Sequence, residues 1–86
     1  MNITFTGDYA YYSDTGVVSF EAFVDGDRIV FKITDEALQD HFPDLGDSVK
    51  IYLANREAIE GLGIKYVERF GVPDNKVIVI KTGDIL

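Results

Sequence analysis

Cysteine is absent from the 86 residues. That removes disulfides, thiolate metal sites and a cysteine nucleophile together. Histidine occurs once, as His41, which leaves too little material for a multi-histidine metal site or a Ser-His-Asp triad. The two prolines, Pro43 and Pro73, both fall in short predicted loops. The longest purely aliphatic run is Val77-Ile78-Val79-Ile80, whereas a membrane-spanning helix needs about 20 apolar residues. The opening Met1-Asn2-Ile3-Thr4-Phe5 has neither a basic nor a long apolar segment, so no signal peptide is expected. Bases are few: 8 Lys and Arg stand against 15 Asp and Glu, for a net charge of −7. They are scattered and mostly flanked by acids. Binding to nucleic acid or to an anionic membrane surface depends on clustered Lys and Arg, so neither is expected. The expectation is a soluble, cytoplasmic protein.

Apolar residues make up 47% of the chain and aromatic residues 13%, enough to fold as a single domain over residues 1–86. No repeat, low-complexity tract or linker interrupts it. The clearest local signal is a hairpin. Val17–Val24 alternates, Asp25-Gly26-Asp27 intervenes, and Arg28–Thr34 alternates again. A type II′ turn at Gly26-Asp27 would pair Val24 with Ile29, Ala22 with Phe31 and Phe20 with Ile33 on one face. The other face would pair Asp25 with Arg28, Glu21 with Lys32 and Ser19 with Thr34. Phe23, Val30 and Val17 fall among these polar residues. They read either as scattered surface hydrophobes or as a patch that a loop or a second subunit covers.

Ile3-Thr4-Phe5 reads as a short strand. Tyr9, Tyr11 and Tyr12 then follow in a loop closed by Asp14-Thr15-Gly16. Three tyrosines in four positions suit a contact surface, although covering the sheet edge is the plainer reading. Thr34 or Asp35 can cap a short helix running to His41, which Pro43 should end. Asp47 or Ser48 can cap a long helix to about Phe70, with Gly71 as its C-cap. Its predicted buried stripe is Val49, Tyr52, Leu53, Arg56, Ile59, Gly63, Tyr66, Val67 and Phe70; a break near Gly61 is the alternative. The last strand, Lys76–Thr82, is apolar on both faces through residues 77–80, as in a strand buried on both sides. In a chain this small, the second cover would be another copy of the protein.

Few constellations suggest chemistry. Asp25-Gly26-Asp27 lacks the ligand series of a calcium loop and reads as a turn. Gly61-Leu62-Gly63 sits within a helical pattern and has no third glycine or preceding strand, so it is no dinucleotide fingerprint. His41 stands at a helix end, where the dipole favours it. The polar spot of most interest is Asn55, Arg56 and Glu60. Arg56 lies on the apolar stripe and needs an acceptor, either Glu60 one turn on or a bound carboxylate or phosphate. No catalytic residue, metal site or cofactor is indicated.

The ordered set Ile3-Thr4-Phe5, Val18-Ser19-Phe20-Glu21-Ala22, Val24-Asp25-Gly26, Ile33-Thr34-Asp35-Glu36-Ala37-Leu38, His41-Phe42, Asn55-Arg56 and Ile59-Glu60 resembles the small bacterial domain-of-unknown-function 1488 (DUF1488) family. The resemblance implies a compact α+β domain in a bacterial cell and implies no activity. The fold expected is α+β, a mainly antiparallel sheet of about four strands in the order β-β-β-α-α-β, packed on one long and one short helix. The function expected is a small acidic interaction or regulatory module, a homodimer with an unidentified protein partner possible. Its candidate surface is Val17, Phe23, Val30, Tyr9, Tyr11 and Tyr12. The alternative is an anionic-ligand binder or enzyme using Arg56 and Glu60. A weaker third reading is an acidic surface that mimics nucleic acid toward a basic protein.

Overall fold

A computed structural model describes residues 1–42, 44 and 46–85. The chain runs β1 (Ile3–Tyr12), β2 (Val17–Val24), β3 (Asp27–Thr34), α1 (Asp35–His41), α2 (Ser48–Ala54), α3 (Arg56–Phe70) and β4 (Val77–Ile80), then a 3-10 turn at Thr82–Asp84. One sheet has the order β1-β2-β3-β4. The first three strands are antiparallel and β4 joins β3 in parallel, because three helices carry the chain back before β4 begins. The architecture is α+β, with a mostly antiparallel sheet.

Strand parity builds the core. Val18, Phe20, Ala22 and Val24 of β2 face the helices with Ile29, Phe31 and Ile33 of β3 and Ile78 and Ile80 of β4. Ala37, Leu38, Ile51, Tyr52, Ile59 and Val67 complete the cluster from the helix layer. Phe20 and Phe31 stack at its centre, 5.1 Å apart. Gly63 lets α3 approach: a Cβ there would stand 3.0 Å from the Phe31 ring.

The hairpin turn is one residue earlier than its sequence suggests. Asp25 and Gly26 both have positive φ, 50° and 90°, the geometry of type I′ rather than II′. Asp25 is held there by Asn2, through a hydrogen bond in each direction of 2.8 Å. Val24 therefore pairs with Asp27, Ala22 with Ile29 and Phe20 with Phe31. The register moves by two residues, so the faces survive while the cross-strand partners change. Glu21 now stands opposite Val30 and takes its ion pair diagonally from Arg28.

Tyr9, Tyr11 and Tyr12 belong to a strand, not a loop. β1 continues through an irregularity between Phe5 and Tyr9 and pairs with β2 as far as Tyr12. The helix prediction also needs correction. Thr34 caps α1 and Asp47 caps α2, accepting from the N–H groups of Ala37 (3.1 Å) and Lys50 (2.9 Å). Pro43, expected to end α1, lies outside the described residues. The long helix breaks at Asn55 (φ −121°, ψ 23°) and not at Gly61, which lies inside the continuous 15-residue α3. The Asn55 amide donates back to the Ile51 carbonyl at 2.9 Å and to Asp44 at 2.6 Å. Such side-chain bonding competes with helix continuation. The break re-aims the stripe: Ile51 is buried, whereas Leu53 (44% exposed) and Phe70 (66%) are not.

β4 is an edge strand, shorter than Lys76–Thr82, and it is covered on one side. Ile78 and Ile80 are buried; Val79 is 38% exposed and Val77 half-buried. Among the described residues, no helix covers its second face.

Candidate functional site

Arg56 opens α3, directly after the break at Asn55. Its Nη2 donates to the Gly7 carbonyl at 2.5 Å and its Nε to Glu60 at 3.4 Å. The guanidinium carbon lies 5.7 Å from the ring centroids of both Tyr9 and Tyr52, within cation–π range. Gly7 adopts φ 90° in the stretch where β1 leaves its register. The arginine thus fastens the irregular part of an edge strand to the helix layer. Asn55 belongs to the α2–α3 corner rather than to this contact. Among the described residues, a single stretch, 53–58, lines the concavity beside Asn55 and Arg56.

Tyr52 is fully buried, packed between Phe20 (5.6 Å) and Tyr9 (5.5 Å). Among the described residues no hydrogen bond to its hydroxyl is formed, although the Arg56 guanidinium lies close by. Burial raises its pKa above the ordinary phenol value, while the nearby Arg56 charge pulls it back. Tyr11 is also raised, chiefly because its hydroxyl donates to Asp35 at 3.1 Å. Asp35 accepts in addition from Ser48 Oγ at 2.5 Å, so one carboxylate joins β1 to α1 and α2. His41 Nε2 lies 2.8 Å from the Thr82 carbonyl. A carbonyl only accepts, so the ring nitrogen donates. Among the described residues, no group of three or more His, Asp or Glu side chains is placed to hold a metal ion. No helix among them is long and apolar enough to cross a membrane.

The second surface is the sheet face away from the helices. Parity places Tyr12, Val17, Phe23, Val30, Val77 and Val79 on it. Phe23 is 44% exposed and Tyr12 48%, while Val17 is only 7% exposed. The candidate surface residues therefore divide. Val17, Phe23, Val30 and Tyr12 share the open face; Tyr9 and Tyr11 turn to the helix side. Val77 and Val79 join the open-face group, on the strand whose sequence is apolar on both faces.

A family model described as "Protein of unknown function (DUF1488)" matches residues 3–68. The chain belongs to the DUF1488 family. A solved relative has the same fold: the crystal structure of a protein of unknown function of that family from Shewanella loihica PV-4 superposes with a TM-score of 0.74 at 21% identity, covering 93% of this chain and 94% of that one. No curated protein matches the chain. The family match takes in both the Arg56 tether and the first three strands of the open face, and assigns no activity to either.

Proposed function

We propose that this DUF1488 protein is a non-catalytic interaction module that associates with a second copy of itself through the open sheet face. The carrying observation is the apolar content of that face, Phe23, Val30, Val77, Val79 and Tyr12 on four adjacent strands, with no helix over them among the described residues. An antiparallel sheet that meets only water usually alternates cleanly to polar residues on that side. Charge supports a copy of the same chain as the occupant. On β2 and β3 this face carries one acid, Glu21, and two bases, Arg28 and Lys32, in a chain of net charge −7. Two such faces meet without the repulsion that the acidic helix layers would impose.

Size sets the strength. With strands about 4.8 Å apart and about 3.4 Å per residue, four strands of four to ten residues present about 500 Å² per copy. A standard stable interface takes about 800 Å² from each partner. Association in the micromolar range is therefore expected rather than an obligate dimer. Sedimentation equilibrium from about 1 to about 100 µM tests it. The wild type should move toward twice its 9.6 kDa mass, and Phe23→Glu should stay monomeric. A wild type that remains monomeric at the upper concentration refutes the reading.

The ligand-binding alternative would place an anion on Arg56 and Glu60. There it competes with the Gly7 carbonyl and the Glu60 carboxylate for the same guanidinium.

A further inference from the structure

The last turns of α3 carry a second apolar stripe, separate from the buried one of Ile59, Gly63 and Val67. Leu62, Tyr66 and Phe70 lie along it, and the chain returning through Ile80 supplies the facing wall. Between them is a cleft of about 400 Å³, within the range of small-molecule sites. Tyr66 and Phe70 pack 4.9 Å apart, yet Phe70 remains 66% exposed.

Two cations converge on this cleft, Lys65 and Arg69. They stand at i and i+4, where like charges destabilise a helix. Neither forms an ion pair among the described residues, whose pairs join Arg28 to Glu21, Arg56 to Glu60 and Lys76 to Asp27. Arg69 lies over the Phe70 ring at 5.3 Å, within cation–π range, and the helix dipole favours a base in the last turn, but neither explains Lys65 beside the same apolar floor. Asp84 lies on the opposite side, where its carboxylate accepts the Lys81 N–H at 2.9 Å. Among the described residues lining it, the cleft thus carries net positive charge in a chain of −7.

We propose that this cleft binds a small amphiphilic carboxylate, its hydrocarbon part against Leu62, Tyr66, Phe70 and Ile80 and its anionic end between Lys65 and Arg69. Charge complementarity selects an anion over a neutral amphiphile. The floor is only two helical turns long, about 12 Å, which suits a short acyl or aryl chain better than a polypeptide. The site shares no residue with the open sheet face, so it stands or falls independently of self-association.

Backbone amide shifts in two-dimensional NMR test it, with octanoate, 1-octanol and poly-glutamate as probes. Octanoate should shift Leu62, Tyr66, Arg69, Phe70 and Gly83 saturably, with 1-octanol at least about tenfold weaker, a discrimination of the size expected of one charge-assisted contact. The Lys65→Gln/Arg69→Gln variant changes two exposed side chains, and it should lose about tenfold in octanoate affinity while keeping its amide dispersion. Equal binding of octanoate and 1-octanol, unchanged binding by the variant, or octanoate shifts confined to Phe23, Val30 and Val79 would each overturn the proposal. Preferential saturation by poly-glutamate would also overturn it, assigning the cleft to an acidic polypeptide.

Discussion

Gly61 and Gly63 sit two residues apart in α3, and alanine should act on them in opposite directions. A Cβ at Gly61 meets nothing within 4 Å. Gly61→Ala should therefore return the helix-propensity gain alone, about 0.5–1 kcal/mol. A Cβ at Gly63 would stand 3.0 Å from Phe31 Cε1 and 3.2 Å from both Cδ1 and Cζ. Phe31 is fully buried and cannot swing aside, since Phe20 stacks at 5.1 Å and Phe5 lies at 6.0 Å. Overpacking of this kind costs about 1–3 kcal/mol, from which the same propensity gain of about 1 kcal/mol is subtracted. Gly63→Ala should thus fall between neutral and about 2 kcal/mol destabilised. Urea denaturation followed by far-UV circular dichroism measures both. At about 4–8 °C per kcal/mol for a domain of this size, the two variants should also separate clearly in melting temperature. If Gly63→Ala gains as much stability as Gly61→Ala, then α3 does not close on Phe31 and the packing described is wrong.

Arg56→Met should destabilise by about 1–2 kcal/mol, the worth of a charge-assisted hydrogen bond to Gly7 reduced because its side chain is 32% exposed; urea unfolding that is unchanged would remove its tethering role. Thr34→Ala deletes the cap of α1 and should cost about 1 kcal/mol in the same assay. Tyr52 holds its proton more tightly folded than unfolded, so its contribution is complete below the unfolded phenol pKa and fades as pH rises through the higher folded one. Stability should fall on that alkaline side, and Tyr52→Phe should flatten the fall; an unaltered pH–stability curve in the variant would contradict the assignment.

Period-two alternation made the faces of β2 and β3 readable, because any register error of two residues leaves them unchanged. The turn itself was not readable, since Asp25-Gly26 and Gly26-Asp27 are both plausible hairpin dipeptides. The Asn2 contact from a distant part of the chain holds Asp25 in the first of them. The break at Asn55 was hidden for a similar reason. Glycine is the stronger local helix breaker, but Asp44 reaches Asn55 through tertiary structure. At the candidate site, the position of Arg56 on the apolar stripe signalled a buried need for an acceptor, and Glu60 was legible at one turn's distance. The Gly7 carbonyl was not, because a backbone acceptor 49 residues away leaves no mark in side-chain spacing.

The most direct measurement on self-association is an isotope-filtered NOE experiment on a mixture of carbon-13-labelled and unlabelled copies. Cross-peaks between copies should join the Val30, Val77 and Val79 methyls to the Phe23 ring. Intermolecular peaks confined to α3, or none at concentrations where the sedimenting mass has doubled, would contradict association through the sheet.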